Sequence, residues 1–189
     1  MHPLTPLVLA AAGLLLVAGV AKALRPRATS TALRLQGLPA REPLVRVLGA
    51  AEVLVAVAAL LEVSFAAAAL AVTYTAFTVF VGAALLRGRP LASCGCFAEP
   101  DVPPTPVHVL VTAALAASAA VVAAGSGGGL RDLLGASPLM AVGAAGSAAL
   151  AGWLTYLVLT ELPRLVAELD HRPSPPPAGL APRLEGGAA

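Results

Sequence analysis

An all-α, polytopic transmembrane bundle of about five spans is the fold class this sequence predicts, and three observations predict it. Hydrophobic residues make up 58% of the 189-residue chain and charged residues only 12%, where a soluble domain carries about 25% charged. The charges are gathered in short clusters and leave long runs without any, from which no water-soluble surface can be built. Five of those runs are each long enough to cross a hydrocarbon core of about 30 Å as a helix.

The spans read in order as Leu4–Leu24, Leu44–Leu61, Phe65–Leu86, Val107–Ala124 and Leu139–Thr160. The apolar stretch Leu44–Leu86 is too long for one crossing, and Glu62-Val63-Ser64 is its natural break, giving a tight helical hairpin. Pro39 and Pro43 precede the second span, and Pro103, Pro104 and Pro106 precede the fourth, where proline suits loops and helix starts. Gly125-Ser126-Gly127-Gly128-Gly129 reads as a connector. The amphipathic stretch Glu161–Leu169 can prolong the last helix, and proline and glycine dominate from Arg172 onward, which predicts a disordered tail. The chain divides into a transmembrane core over 1–124, a connector and fifth span over 125–160, and a cytoplasmic amphipathic segment and tail over 161–189. Thr73, Tyr74, Thr75 and Thr78 form a polar stripe in the third span. Ala144, Ala148 and Gly152 place a small residue at every fourth position of the fifth. Both patterns predict helix–helix packing.

Ala21-Lys22-Ala23 resembles a signal-peptide cleavage site, but charge order speaks for a retained anchor. No Lys or Arg precedes the first apolar run, and Lys22, Arg25 and Arg27 follow it. With five spans, eleven of the twelve Lys and Arg residues fall on one side and only Arg131 on the other. The positive-inside rule then predicts an N-terminus outside and a C-terminus in the cytoplasm of a bacterial plasma membrane. The net charge of +2 and the scarcity of aromatics give no footing for a nucleic-acid partner. The lipid bilayer is the partner the composition implies.

The only two cysteines are Cys94 and Cys96, in a polar, proline-rich segment between the third and fourth spans. Three readings stand. As a redox pair they close a very small disulfide ring, strained and therefore easy to reduce. As thiolates they clamp a soft metal, with His108 as a third ligand and no obvious fourth. As plain residues they are small hydrophobes, a reading that a polar loop disfavours. No cofactor is identified; a quinone or a soft metal would suit the first two readings. Glu52 lies inside the second span, where an ionisable side chain costs about 2.5–3.5 kcal/mol on insertion scales and calls for a partner. Lys22, at the end of the first span, is the best placed cation, which predicts a Lys22–Glu52 ion pair. The alternatives are a neutral, hydrogen-bonded Glu52, or a proton-handling Glu52 in the same membrane half as the cysteines.

The segment Cys94-Gly95-Cys96-Phe97, following Arg87-Gly88-Arg89, resembles the methylamine utilisation protein MauE family, relatives of the DoxX-like membrane proteins. Gly19-Val20-Ala21-Lys22, Gly37-Leu38-Pro39 and Glu52 sit where that family has similar residues. The resemblance covers Leu4 to Ala124 and is weaker beyond. Ala98 departs from an expected glycine, and Val107-His108 from a more polar pair. The resemblance implies a four-helix core and a multispan protein that acts with a thioredoxin-like partner, in methylamine-oxidising bacteria, to mature a disulfide-rich dehydrogenase subunit. Two functions follow as expectations. One is a thiol–disulfide redox or maturation component using Cys94 and Cys96. The other is a non-enzymatic assembly or transport factor whose Cys-x-Cys loop binds a metal or docks a partner. The sequence leaves enzymatic activity undecided.

Overall fold

The computed structural model describes residues 4–62, 65–87, 105–125, 135 and 137–170. They form six α-helices: α1 (Thr5–Leu24), α2 (Pro26–Leu35), α3 (Glu42–Leu60), α4 (Ala66–Leu86), α5 (Pro106–Gly125) and α6 (Pro138–Asp170). Five of them, all but α2, are long and apolar enough to cross a membrane. The segment with Cys94 and Cys96, most of the glycine-rich connector and the tail from 171 lie outside the described residues.

Proline sets most of the helix starts. α1, α2 and α3 carry one in their first two positions, and α5 and α6 begin on Pro106 and Pro138. An N–H is superfluous there and a fixed φ favours the helix. α4 is the exception. It follows a turn in which Glu62 and Phe65 both adopt left-handed φ, 55° and 68°. Two such residues reverse the chain sharply at the expected hairpin.

One element went unforeseen. The basic stretch between the first two spans holds the ten-residue helix α2. Pro26 opens it, and Gly37 at φ 77° closes it. The Leu38 N–H donates to the Leu33 carbonyl and the Gly37 N–H to the Arg34 carbonyl, the paired bonds of a Schellman ending. At about 15 Å this helix is half a membrane thickness, too short to cross, and it packs on α1 and α3.

Packing is organised around two pairs. α1 packs on α3 and α4 on α5, with α6 against α1 and the α3–α4 hairpin joining the pairs. The core they enclose includes Val8, Ala11, Ala12 and Leu15 of α1, Ala56 of α3, Leu70 and Tyr74 of α4, and Leu115 and Ala119 of α5. Alanine dominates it because lipid is as apolar as leucine; close backbone approach, not exclusion of water, holds such helices together. Ala144 and Ala148 of α6 are buried, and a Cβ on Gly152 would touch Ala10 at 3.9 Å, so the small-residue pattern does face another helix. The threonine stripe divides differently. Thr73 and Thr75 donate to carbonyls of their own helix, Ala69 and Ala71. Only Tyr74 and Thr78 reach neighbours, bonding the Ala11 carbonyl at 2.7 Å and the Thr112 hydroxyl at 2.9 Å. Large apolar side chains such as Val17, Leu54, Val72, Leu110 and Leu150 point outward, an arrangement stable in lipid and not in water.

Candidate functional site

The α1–α3 crossing is built on two glycines. A Cβ on Gly19 would lie 2.7 Å from the Gly49 carbonyl oxygen, and one on Gly49 would lie 2.6 Å from the Gly19 carbonyl oxygen. No other residue fits either position without moving the helices apart. One turn along each helix comes a charge: Gly19-Val20-Ala21-Lys22 on α1 and Gly49-Ala50-Ala51-Glu52 on α3. Because the helices run antiparallel, Lys22 starts nearer the bundle end and Glu52 nearer the middle. The Lys22 side chain spans the difference. Its Nζ donates to both carboxylate oxygens of Glu52, at 2.8 and 2.7 Å. Lys22 is 2% exposed and Glu52 3%.

Phe77 of α4 closes the site. Lys22 Nζ lies 4.7 Å from the centre of its ring, within cation–π range. Tyr74 meets Phe77 edge-on at 5.9 Å and fixes that ring in turn. The pair thus ties α1, α3 and α4 at one point. Burying two charges is costly, and mutual attraction with full hydrogen bonding offsets that cost only while both partners are present. The arrangement therefore fixes helix register strongly.

His108 is a further buried ionisable group, 1% exposed at the start of α5. Its Nδ1 accepts the Thr105 backbone N–H at 3.1 Å, with the Thr105 hydroxyl at the same distance. A nitrogen accepting an amide proton carries none of its own, so in the neutral ring the proton is on Nε2. Nε2 is buried and has no hydrogen-bond partner among the described residues. One turn on, the Thr112 hydroxyl bonds the His108 carbonyl and accepts from Thr78, the residue after Phe77. His108 and the ion pair thus lie in the same half of the bundle, the half from which α4 leaves at Arg87 and α5 returns at Thr105. From Phe77 to Arg87 is about 15 Å along the helix.

Of the sequence-predicted residues, Lys22 and Glu52 are in contact and His108 sits apart from them in that half. Cys94 and Cys96 lie outside the described residues. Among the described residues no three His, Cys, Asp or Glu side chains gather as a metal site. Sequence reasoning missed Gly49 and Phe77. The equal spacing of Gly19–Lys22 and Gly49–Glu52 was a readable signal for the first. Nothing in the local pattern singles out Phe77 among the apolar residues of α4.

Five membrane-length helices around a buried lysine–carboxylate pair define a polytopic integral membrane protein. The family model for methylamine utilisation protein MauE matches residues 3–125, and the chain belongs to that family. The match takes in α1 to α5, the crossing and His108, and ends before α6. No curated protein and no solved structure matches the chain.

Proposed function

We propose that the protein is a membrane thiol–disulfide component that works with a thioredoxin-like partner in maturing disulfide-containing client proteins. One observation carries the reading: the only two cysteines of the chain are separated by a single glycine, between two spans of a family tied by name to methylamine utilisation. In the exchange, a thiolate of the partner attacks one sulfur of the Cys94–Cys96 disulfide and forms a mixed disulfide. The partner's second thiolate resolves it. Two electrons and two protons pass from the partner dithiol to Cys94 and Cys96, and the partner leaves as a disulfide. A single pair cannot relay further, so a quinone or another dithiol–disulfide couple must reoxidise it. The Lys22–Glu52 pair joins α1 and α3 in the half of the bundle where the segment between α4 and α5 begins and ends, and Glu52 can take part in proton handling from there. The basic residues at that end support a bacterial plasma-membrane protein with its N-terminus outside and its C-terminus in the cytoplasm.

Alkylation before and after reduction in native membranes tests this. Cys94 and Cys96 should become reactive only after reduction, and Cys96→Ser or Cys94→Ser should trap a reductant-sensitive adduct with a thioredoxin-like protein. Thiols that are always reactive, with no adduct from either variant, would sink the redox reading. A second reading is an assembly or transport factor whose loop holds a soft metal on Cys94 and Cys96; His108 would join as a ligand only by giving up its Nε2 proton, since its Nδ1 accepts the Thr105 N–H. Under that reading a chelator, not a reductant, unmasks the thiols.

A further inference from the structure

Residues 22–46 contain six basic side chains and a single acid, Glu42, and the fold gathers most of them on one rim. Glu42 stands between two guanidinium groups, Arg27 Nε at 3.5 Å and Arg46 Nη2 at 3.9 Å. Both contacts are long, and Arg27 is 90% and Arg46 57% exposed. Arg25, just before α2, and Arg41, just before α3, are exposed as well. Two cations of the stretch are otherwise engaged: Lys22 with Glu52, and Arg34 through Nε to the Ala40 carbonyl at 2.9 Å. Four arginines against one glutamate leave an excess of three positive charges where α1 ends and α3 begins.

Apolar side chains share this rim. Leu24, Leu35, Leu38 and Leu44 are all exposed. The rim adjoins two membrane-length helices, and exposed leucines beside guanidinium groups suit the boundary between acyl chains and headgroups. The platform is rigid. α2 is closed by its Schellman ending, and its Ala32 is buried against Ala84 and Phe80 of α4. Each guanidinium offers five donors, and Arg27 and Arg46 meet Glu42 only by single long contacts, which leaves donors for the oxygens of a phosphodiester.

We propose that this rim is a binding site for an anionic phospholipid, with the headgroup phosphate on the solvent-facing donors of Arg27 and Arg46 that Glu42 leaves free, Arg25 and Arg41 adding positive charge, and the acyl chains along the exposed leucines. An acidic protein segment would match the charge but not the apolar collar, and the observations favour lipid for that reason. The site is independent of the cysteine chemistry proposed above.

The test is native mass spectrometry of the purified full chain released from micelles doped with equal amounts of phosphatidylglycerol and phosphatidylcholine. The wild-type protein should retain phosphatidylglycerol selectively. Arg27→Gln and Arg46→Gln should each reduce that preference about fivefold, the factor expected for one basic residue near an anionic surface. Arg27→Lys should keep most of it. Helix content by circular dichroism checks that each variant is folded, and the highly exposed Arg27→Gln alone suffices if Arg46→Gln is not. Equal retention of the two lipids by the wild type, or an unchanged preference in folded Arg27→Gln and Arg46→Gln, overturns the proposal. So does full displacement of phosphatidylglycerol by soluble polyglutamate, which would make the rim a protein-docking surface.

Discussion

Replacing Glu52 by leucine leaves the Lys22 ammonium inside the bundle with a phenylalanine ring for company and no anion. Breaking a buried pair from one side costs about 3–5 kcal/mol in soluble proteins, and lipid gives the orphaned charge no better refuge. Glu52→Gln keeps an acceptor for Lys22 and should be milder than Glu52→Leu. Lys22→Met combined with Glu52→Leu should recover much of the loss, because no charge then remains to be solvated. Unfolding in mixed detergent, run as a double-mutant cycle, measures this; additive losses would show that the 2.7 Å contact contributes nothing of its own. Tyr74→Phe should cost less, about 0.5–1.5 kcal/mol, the usual net value of one hydrogen bond, here that to the Ala11 carbonyl. The sequence was informative for Lys22 and Glu52 because a lone charge at membrane depth demands a partner and few cations lay within reach. It was silent about Phe77, since one aromatic in an apolar helix looks like any other until the neighbouring helices are in place.

At the scale of elements, the α1–α3 crossing and α2 show which signals travel through sequence. Span positions were legible because twenty apolar residues admit one structure in lipid, and α1, α3, α4 and α5 each begin and end within two residues of the expected bounds. The last helix runs on beyond its span to Asp170, through the amphipathic stretch Glu161–Leu169 that the sequence reads as able to prolong it. α2 was not legible: five of its ten residues are Arg, Thr or Ser, and the buried Thr29, Ser30 and Ala32 do not stand out from a loop. Its true markers were Pro26 at one end and Gly37-Leu38-Pro39 at the other. The crossing itself depends on two absent side chains. Gly19→Ala or Gly49→Ala puts a methyl group against a carbonyl oxygen at under 3 Å, and backbone cannot rotate away as a side chain can. Each should destabilise the bundle by about 1–3 kcal/mol, in line with overpacking elsewhere. Cysteines introduced at Val20 and Ala50, on either side of the crossing, report the same event. Oxidative cross-linking between them should change in rate in Gly49→Ala, and an unaltered rate with unaltered stability would mean that the crossing tolerates the extra methyl.

For the whole molecule, the weightiest consequence of the proposed function is the side of the membrane on which the cysteines lie. α1 ends and α3 begins at one end of the bundle, and α4 ends and α5 begins at that same end, because successive spans alternate in direction. Lys22, Arg25, Arg27, Arg34, Arg41, Arg46 and Arg87 all belong to this end. The positive-inside rule predicts that this end faces the cytoplasm, and the segment joining α4 to α5 would then start and finish there. A pair exposed to the cytosol faces a reducing thiol pool and stays a disulfide only while the quinone or dithiol–disulfide couple proposed above reoxidises it, which suits a component that takes up reducing equivalents inside and fits poorly with direct oxidation of an exported client. A membrane-impermeant maleimide applied to intact cells, after reduction by a permeant phosphine, decides the matter. Cys94 and Cys96 should be protected in intact cells and modified rapidly once the membrane is permeabilised. A single cysteine placed at Leu61, at the opposite end of α3 and exposed, should show the reverse pattern in a background of Cys94→Ser and Cys96→Ser. Rapid labelling of the native cysteines from outside, with protection at position 61, would invert the bundle and place the redox pair in an oxidising compartment. The basic rim would then face outward against the charge rule, and direct oxidation of exported clients would become the better account of the pair.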